Sequence, residues 1–262
     1  MSALRVMVVG AAGRMGREVV RAVSAQDDMA VVAAVDQVGV GEDAVVLAGA
    51  QAPAVPITDS LDAALAEGRP EVGVDFTVPA AVMGNARLAL AARLPYVIGA
   101  TGLTEADLKE LAALSEQQQT PVLVAPNFAI GVVLMMQFAA QAARYFDAAE
   151  IIELHHAAKL DAPSGTALAT AKMITEAPGS RLASPASPDP AARGLNAGKV
   201  QVHAVRLPGL VAHQEVIFGG LGQTLTIRHD SFSRESFMPG VLLALRRVRG
   251  LTGLHVGLQA VL

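Results

Sequence analysis

Arg5-Val6-Met7-Val8-Val9-Gly10-Ala11-Ala12-Gly13-Arg14-Met15-Gly16 decides the fold of the first half of this chain. A short β-branched run enters three glycines spaced three apart, and helical spacing continues from Glu18 to Ala25. The succession is strand, glycine turn, helix. Gly10 permits the tight turn, Gly13 lets a pyrophosphate approach the backbone, and Gly16 lets the helix pack closely on the strand. The helix N-terminus then faces the phosphates. Alone the pattern is weak, because small-residue turns are common in alanine-rich chains. Its context strengthens it. A second β-branched run, Val31 to Val35, ends at Asp36, 20 residues beyond Gly16, where an acid accepts hydrogen bonds from ribose hydroxyls.

Gly10, Ala11, Ala12, Gly13, Arg14, Met15 and Asp36 are therefore candidate dinucleotide contacts. A 2′-phosphate needs a cation where a ribose hydroxyl needs an acceptor. No lysine or arginine lies between Arg21 and Arg69, and Gln37 follows Asp36. The charges favour NADH, with Arg14 the one residue that leaves NADPH open.

Further strands are predicted at Val72 to Phe76, Tyr96 to Ile98 and Val122 to Val124, with helical segments between them. Such alternation implies a parallel sheet whose ligands bind beyond the carboxyl ends of the strands. Three groups fall there: Asp75 to Pro79, Gly99 to Gly102 and Ala125 to Phe128. Gly, Pro, Asn and Thr are also generic turn formers. Their shared position nevertheless favours a cofactor edge made by Phe76, Thr77, Gly99, Ala100, Thr101, Ala125, Pro126, Asn127 and Phe128.

Composition narrows the chemistry. The 262 residues are 52% hydrophobic, enough for a sizeable core and for one large or two smaller domains. A net charge of −4 without any basic run excludes a nucleic-acid face. With no cysteine there is no disulfide framework, no thiolate metal site and no nucleophilic thiol, which excludes thiohemiacetal chemistry on aldehydes. Neither a signal peptide nor a membrane span is visible, so a soluble cytoplasmic protein is expected.

In the second half, Gly131 to Phe146 has helical spacing and is read as a helix bridging two domains. Ile151 to Leu154 reads as a strand that ends at His155-His156-Ala157-Ala158-Lys159-Leu160-Asp161-Ala162-Pro163-Ser164-Gly165-Thr166. Ser164 is a plausible N-cap for a helix from Ala167 to Ile174. Two imidazoles and an ammonium can move protons, and the amides of a Ser-Gly-Thr helix start can bind a carboxylate. Taken alone, the segment reads more readily as a charged strand end leading into an ordinary capped helix. Adjacent strand residues point to opposite faces, so His155 and His156 share a pocket only if the strand ends or bends there. No H-E-x-x-H pattern occurs and the lysine opposes a cation, so no metal is expected.

Glu176 to Gly198, rich in Pro, Ala, Ser and Gly, reads as a mobile loop that either covers a ligand or is a simple surface excursion. Val200 to Arg206, Gln214 to Phe218 and Thr224 to His229 read as strands of a largely antiparallel sheet, whose outer face, if apolar, is an oligomer interface. His203, His213, His229 and His255 are read as structural or exposed, and Arg206 and Arg234 as salt-bridged surface groups. Helical spacing at Val241 to Leu245 returns the chain to the first domain. The expected architecture is α/β: a Rossmann-type parallel-sheet domain over residues 1–127, rejoined by 239–262, and an α+β substrate-binding and oligomerisation domain over 128–238.

In order along the chain, G-A-A-G-R-M-G, D-F-T-V-P, G-A-T-G, A-P-N-F-A-I-G and H-H-A-A-K-L-D-A-P-S-G-T-A resemble the dihydrodipicolinate (4-hydroxy-tetrahydrodipicolinate) reductase family. The last segment is highly specific. The resemblance implies NAD(P)H-dependent reduction of 4-hydroxy-tetrahydrodipicolinate, a small dicarboxylate, to tetrahydrodipicolinate with loss of water, a step toward diaminopimelate and lysine. It further implies that His155 and Lys159 transfer protons, that His156, Gly165, Thr166 and Thr101 bind substrate carboxylates beside Ser164, and that the subunits form a homotetramer through the second-domain sheets. Three positions depart from the common pattern: Ala157 and Ala158 replace bulkier or basic residues, and Ala100 replaces a threonine. Two other readings of the residues stay open. One is a nicotinamide-dependent reductase of a different small acid or imine; the other is a dinucleotide-sensing module without turnover.

Overall fold

The computed structural model describes residues 3–183 and 190–262. By its internal contacts the chain divides into two compact units, Met1–Ala129 with Phe237–Leu262, and Ile130–Ser236. In the first unit, strand β1 (Leu4–Val9) leads through the glycine turn into helix α1 (Arg14–Ser24). The helix begins at Arg14, four residues earlier than the apolar spacing indicates, because Gly13 serves as its N-cap. Gly16, Val19, Val20 and Val23 form its buried stripe at the three-to-four residue spacing that one helix face requires. Then follow β2 (Met29–Val35), α2 (Ala44–Leu47), β3 (Ile57–Thr58), α3 (Leu61–Gly68), β4 (Val72–Asp75), α4 (Pro79–Ala91), β5 (Tyr96–Ile98), α5 (Glu105–Gln118) and β6 (Val122–Val124). Local chemistry fixes the helix starts: Ser60 caps α3, Pro79 opens α4, and Thr104 and Asp107 form a reciprocal capping box on α5.

The second unit contains α6 (Ile130–Ala142), β7 (Ala148–His155), α7 (Gly165–Glu176), β8 (Leu195–Ala197), β9 (Val200–Arg206), β10 (Ala212–Gly220) and β11 (Gln223–Ser231). Its sheet runs β11-β10-β7-β9-β8. Only β7 and β9 pair in parallel, and the other three pairings are antiparallel. Helices α6 and α7 pack on one another and on one face of this sheet. That face carries Ala149, Ile151 and Glu153 of β7, aligned with Phe218, Val216 and Gln214 of β10. The opposite face mixes apolar Ile152, Leu154, Val205 and Ile217 with charged Glu150, Glu215 and Arg228.

A 3₁₀ turn (Arg234–Phe237) then leads into α8 (Met238–Arg247) and β12 (Leu254–Val256), which complete the first unit. Its sheet has seven strands in the order β12-β6-β5-β4-β1-β2-β3, every pairing parallel. Strand order reverses between β1 and β4, the point where such sheets open a crevice at their carboxyl ends. Val9, Met7, Tyr96, Ile98, Leu111 and Val122 belong to the core beneath it.

Two readings are corrected. Glu176 to Gly198 is not one structureless excursion: α7 runs to Glu176, a 3₁₀ turn occupies Pro190–Arg193, and β8 pairs with β9. Short strands such as Leu195–Ala197 carry too little alternation to be seen in sequence. The middle of the expected mobile loop, 184–189, lies outside the described residues. Secondly, Arg234 is not a salt-bridged group, whereas Arg206 is salt-bridged, as expected, but to a buried partner. Arg206 binds the buried carboxylate of Glu153, and Arg234 has no ion pair among the described residues.

Candidate active site

At the carboxyl ends of β1, β2 and β4, within the first unit, lies a cavity of about 430 Å³ whose lining includes Gly10, Gly13, Asp36, Gln37, Phe76 and Thr77. The glycine turn is pinned to the end of β2. Gly10 and Ala11 donate to the Val35 carbonyl at 2.8 and 3.1 Å, while Asp36 accepts from the Ala12 amide at 2.9 Å and the Val38 amide at 3.1 Å. Gly10 has φ +82°, a conformation that side chains disfavour, and a Cβ there would sit 3.0 Å from the Phe76 backbone. A Cβ on Gly16 would fall 1.9 Å from the Gly10 carbonyl oxygen. The turn therefore touches helix and strand alike. Neither a side-chain cap nor an acidic residue occupies the first turn of α1, which leaves its N-terminal amides to an anion. A narrow glycine cradle, a helix N-terminus and an acid at the end of β2 fit a dinucleotide.

The cavity wall has a buried support that the sequence reading passed over. Asp75 is fully buried and accepts from the Thr77 amide at 2.7 Å, the Thr77 hydroxyl at 2.5 Å, Asn85 Nδ2 at 3.0 Å and the Tyr96 hydroxyl at 2.9 Å. Burial, then the adjacent carboxylate charge, push the Tyr96 phenol well above its ordinary range, so it stays a donor. Asn85, Asp59 and Gln37 join the cavity lining. The signal for Asn85 was one amide within the apolar run of α4.

Around Phe76 the edge loops converge. Its ring lies 5.4 Å from that of Phe128, and a Cβ on Gly99 would come within 2.2 Å of it. Ala125 donates to the Ile98 carbonyl at 2.9 Å, and Asn127 turns its Oδ1 onto the Ala129 amide at 2.8 Å. Ala100 is buried, Thr101 and Pro126 are exposed, and Arg14 and Met15 start α1; of the expected cofactor contacts only Gly10, Gly13, Asp36, Phe76 and Thr77 line the cavity.

The second cluster lies in the second unit. β7 ends at His155, so the strand stops where the paired histidines require it, and His156 lies outside it and is exposed. Period-two alternation along β7 carries Glu153 to the helix-covered face, where it is fully buried. Four nitrogen atoms meet its carboxylate. Arg206 Nη2 and the Ser164 amide reach Oε1 at 2.7 and 2.9 Å, and Arg206 Nη1 and His155 Nδ1 reach Oε2 at 2.7 and 2.6 Å. Burial pushes the Glu153 pKa up, but the bonds from Arg206, His155 and Ser164 outweigh it and hold the group below its ordinary value. Arg206 also donates to the Asp161 carbonyl at 2.6 Å, which braces the middle of the segment.

Burial holds the His155 imidazole below its usual value, with Lys159 and Arg206 adding to the shift and the Glu153 bond and charge opposing it. Lys159 Nζ pairs with the exposed Asp161 carboxylate at 2.8 Å. Ser164 caps α7 by accepting from the Ala167 amide at 3.2 Å. The amides of Gly165 and Thr166 stand in the first turn without an acceptor among the described residues. A Cβ on Gly165 would meet no protein atom within 4 Å, so open space faces the helix start. Glu153 thus brings His155 and Ser164 together, with Lys159 in the same short segment, whereas Thr101 belongs to the first unit. Sequence reading missed Glu153 and Arg206. The signal available was an acid on the apolar side of a predicted strand.

The other histidines have structural roles. His203 binds Glu150 at 2.7 Å alongside Arg193, and His213 binds Asp230 at 2.7 Å. His229 lies under α6 against Gly131, and His255 meets the Thr252 carbonyl at 3.1 Å.

Comparison with known proteins agrees across the whole chain. Residues 4–128 match the family description "Dihydrodipicolinate reductase, N-terminus" and residues 131–262 match "Dihydrodipicolinate reductase, C-terminus". The 4-hydroxy-tetrahydrodipicolinate reductase of Moorella thermoacetica is 52% identical, covering 99% of this chain and 98% of its own. That of Desulfitobacterium hafniense (strain DSM 10664 / DCB-2) is 49% identical with the same coverage. The solved structure of a dipicolinate-bound dihydrodipicolinate reductase from Paenisporosarcina sp. TG-14 is 41% identical, with a TM-score of 0.87 and coverage of 99% of this chain and 100% of that one.

Proposed function

The chain belongs to the dihydrodipicolinate reductase family, and from that membership we propose how its residues divide the work. The family's activity is that of an oxidoreductase that reduces 4-hydroxy-tetrahydrodipicolinate to tetrahydrodipicolinate with loss of water, in diaminopimelate and lysine biosynthesis. The observation that carries the reading for this chain is the clustering in one short segment of a carboxylate-bound imidazole, an ammonium and two free helix-terminal amides.

In the proposed division, Gly10, Ala11, Ala12, Gly13, Arg14, Met15 and Asp36 hold the adenosine and pyrophosphate of a nicotinamide dinucleotide. Phe76, Thr77, Gly99, Ala100, Thr101, Ala125, Pro126, Asn127 and Phe128 form the edge along which its other half lies. When bound, the reduced nicotinamide supplies a hydride. NADH is the favoured cofactor, since Asp36 offers a carboxylate to a ribose diol and a 2′-phosphate would meet that same charge. Arg14, exposed in the first turn of α1, is the residue through which NADPH would be tolerated.

One substrate carboxylate is taken by the Gly165 and Thr166 amides beside Ser164, with His156 supplying a further polar contact. Fixed amides suit this, because they lose little freedom on binding and the helix dipole favours an anion. Net reduction consumes one hydride and one proton while water departs, so the protein must deliver a proton to a ring carbon. Lys159 is the donor, because an ammonium only donates. His155, held to Glu153 through Nδ1, relays protons.

Four subunits assemble through the outer face of the second-unit sheet. The apolar positions Ile152, Leu154, Val205 and Ile217, flanked by Glu150, Glu215 and Arg228, support this surface as an interface. No helix among the described residues is long and apolar enough to cross a membrane, consistent with work in the cytoplasm.

The test is consumption of NADH only when the upstream aldolase product is present, followed by comparison of kcat/KM for NADH and NADPH. Oxidation of NADH with other small acids or imines but not this substrate would replace the reading. A strong NADPH preference would overturn the cofactor assignment alone.

A further inference from the structure

Glu153 stands at a core position of β7, where alternation calls for an apolar side chain, yet it is fully buried and bonded on both oxygens. Arg206 of β9 clamps it through both terminal nitrogens, a bidentate geometry that holds the planes fixed. A guanidinium and a backbone amide only donate, so the carboxylate that receives them accepts at both oxygens. The imidazole nitrogen facing it must then carry the proton. That leaves Nε2 as the free lone pair of neutral His155.

We propose that Glu153 is a positioning residue: clamped by Arg206, it fixes the Nδ1–H tautomer of His155 and, through the Ser164 amide, sets the imidazole against the start of α7. One carboxylate thereby ties the proton-transfer group to the anion cradle, whose Ser164 lies 11 positions beyond Glu153. The functional part rests on the reading of His155 as a proton-transfer residue. An ion pair serving only the packing would need no third donor, whereas here the third donor is that imidazole at 2.6 Å. Other charges acting on His155 are Lys159 from the following turn and Arg206 from the neighbouring strand, both of which favour its neutral form.

Glu153→Gln discriminates. The Ser164 amide cannot become an acceptor, so the new side-chain oxygen stays on its side, and the new NH2 faces His155 Nδ1 and gives up the bond from Arg206 Nη1. The imidazole must then move its proton to Nε2. Loss of the carboxylate also removes the interactions that raise the His155 pKa, so its titration moves to lower pH.

The experiment is ¹⁵N NMR of the histidine side chains in the full chain, with His155→Gln used for assignment. The expected result is an Nδ1–H tautomer in the natural protein and an Nε2–H tautomer with a lower titration midpoint in Glu153→Gln. With it, kcat falls by about 10²-fold while the dissociation constant for NADH is unchanged. Glu153→Asp, which keeps the charge, retains the natural tautomer and an intermediate kcat. An Nε2–H tautomer in the natural protein overturns the proposal, and this readout does not require the variant to fold. So does a folded Glu153→Gln protein with unaltered tautomer, titration and kcat. The NMR readouts need no substrate, so failure to turn over the family substrate would refute the functional assignment while leaving the tautomer result to be judged separately.

Discussion

Gly16→Ala asks whether the glycine turn is built for close approach or is merely permissive. Gly16 is the third residue of α1, where its own backbone would accept any side chain. The obstacle is the neighbouring turn. An added Cβ would stand 1.9 Å from the Gly10 carbonyl oxygen, 2.7 Å from its carbon and 2.8 Å from Ala11 Cα, all of them backbone atoms that cannot rotate away. Relief to ordinary contact near about 3.5 Å requires helix and turn to part by more than about 1 Å. Alanine in a helix gains about 1 kcal/mol over glycine, while overpacking of a tight contact costs about 1–3 kcal/mol or more. The net is a loss of about 0–2 kcal/mol or more, and each kcal/mol lowers the melting temperature by about 2–4 °C in a domain of this size.

The functional loss is larger, because the displaced atoms belong to Gly10 and Ala11, next to the Ala12 amide that binds Asp36. Binding of NADH, measured by fluorescence titration, weakens at least about tenfold, or ~1.4 kcal/mol. A Gly16→Ala protein that binds NADH as the natural chain does and melts at the same temperature would refute the reasoning.

Gly165→Ala is the counterpart in the first turn of α7. With no protein atom within 4 Å of the added methyl, stability is unchanged or slightly higher, while the substrate KM rises because the methyl occupies the space before the cradle; an unchanged KM would remove that carboxylate site. Lys159→Ala lowers kcat by about 10²- to 10⁴-fold in steady-state assays, and the melting temperature barely changes because its partner Asp161 is exposed. Asp36→Asn weakens NADH more than NADPH, and the ratio of kcat/KM values reads this directly. Acid titration of stability has a defined sign. Burial holds folded His155 and His229 below their ordinary values, so the unfolded chain takes up protons first, and stability present above about pH 6.5 is lost as pH falls toward the folded values. Glu153, also held low, contributes stability above the ordinary carboxylate range and loses it on further acidification. Melting temperatures from pH 8 down to about 2 should therefore be flat, then fall first through the histidine range and again below the ordinary carboxylate range.

Five of the seven strands of the first sheet were legible because a parallel sheet buries both faces and leaves apolar, valine-rich runs such as Val6–Val9 and Val122–Val124, whereas β3 and β12, of two and three residues, were too short to be read. The beginning of α1 was less so, since Arg14 and Met15 lie before the apolar stripe and only the geometry of Gly13 marks the start. The histidine segment and the Ser164 cap were readable from local chemistry. Glu153 and Arg206 were not, because their partnership spans 53 positions and is made by the parallel pairing of β7 with β9, which no local pattern encodes. The same holds for Asp75 and Tyr96, joined across neighbouring strands 21 positions apart. β8 escaped notice for a different reason: three residues give no usable alternation.

The central claim is that the start of α7 and the His155 to Lys159 segment together hold a dicarboxylate for protonation. A crystal structure with NADH and pyridine-2,6-dicarboxylate tests it most directly. The account requires a carboxylate within about 3 Å of the Gly165 and Thr166 amides, with the Lys159 ammonium and His155 Nε2 turned toward the ring. A dicarboxylate bound elsewhere, with those amides unengaged, would contradict it.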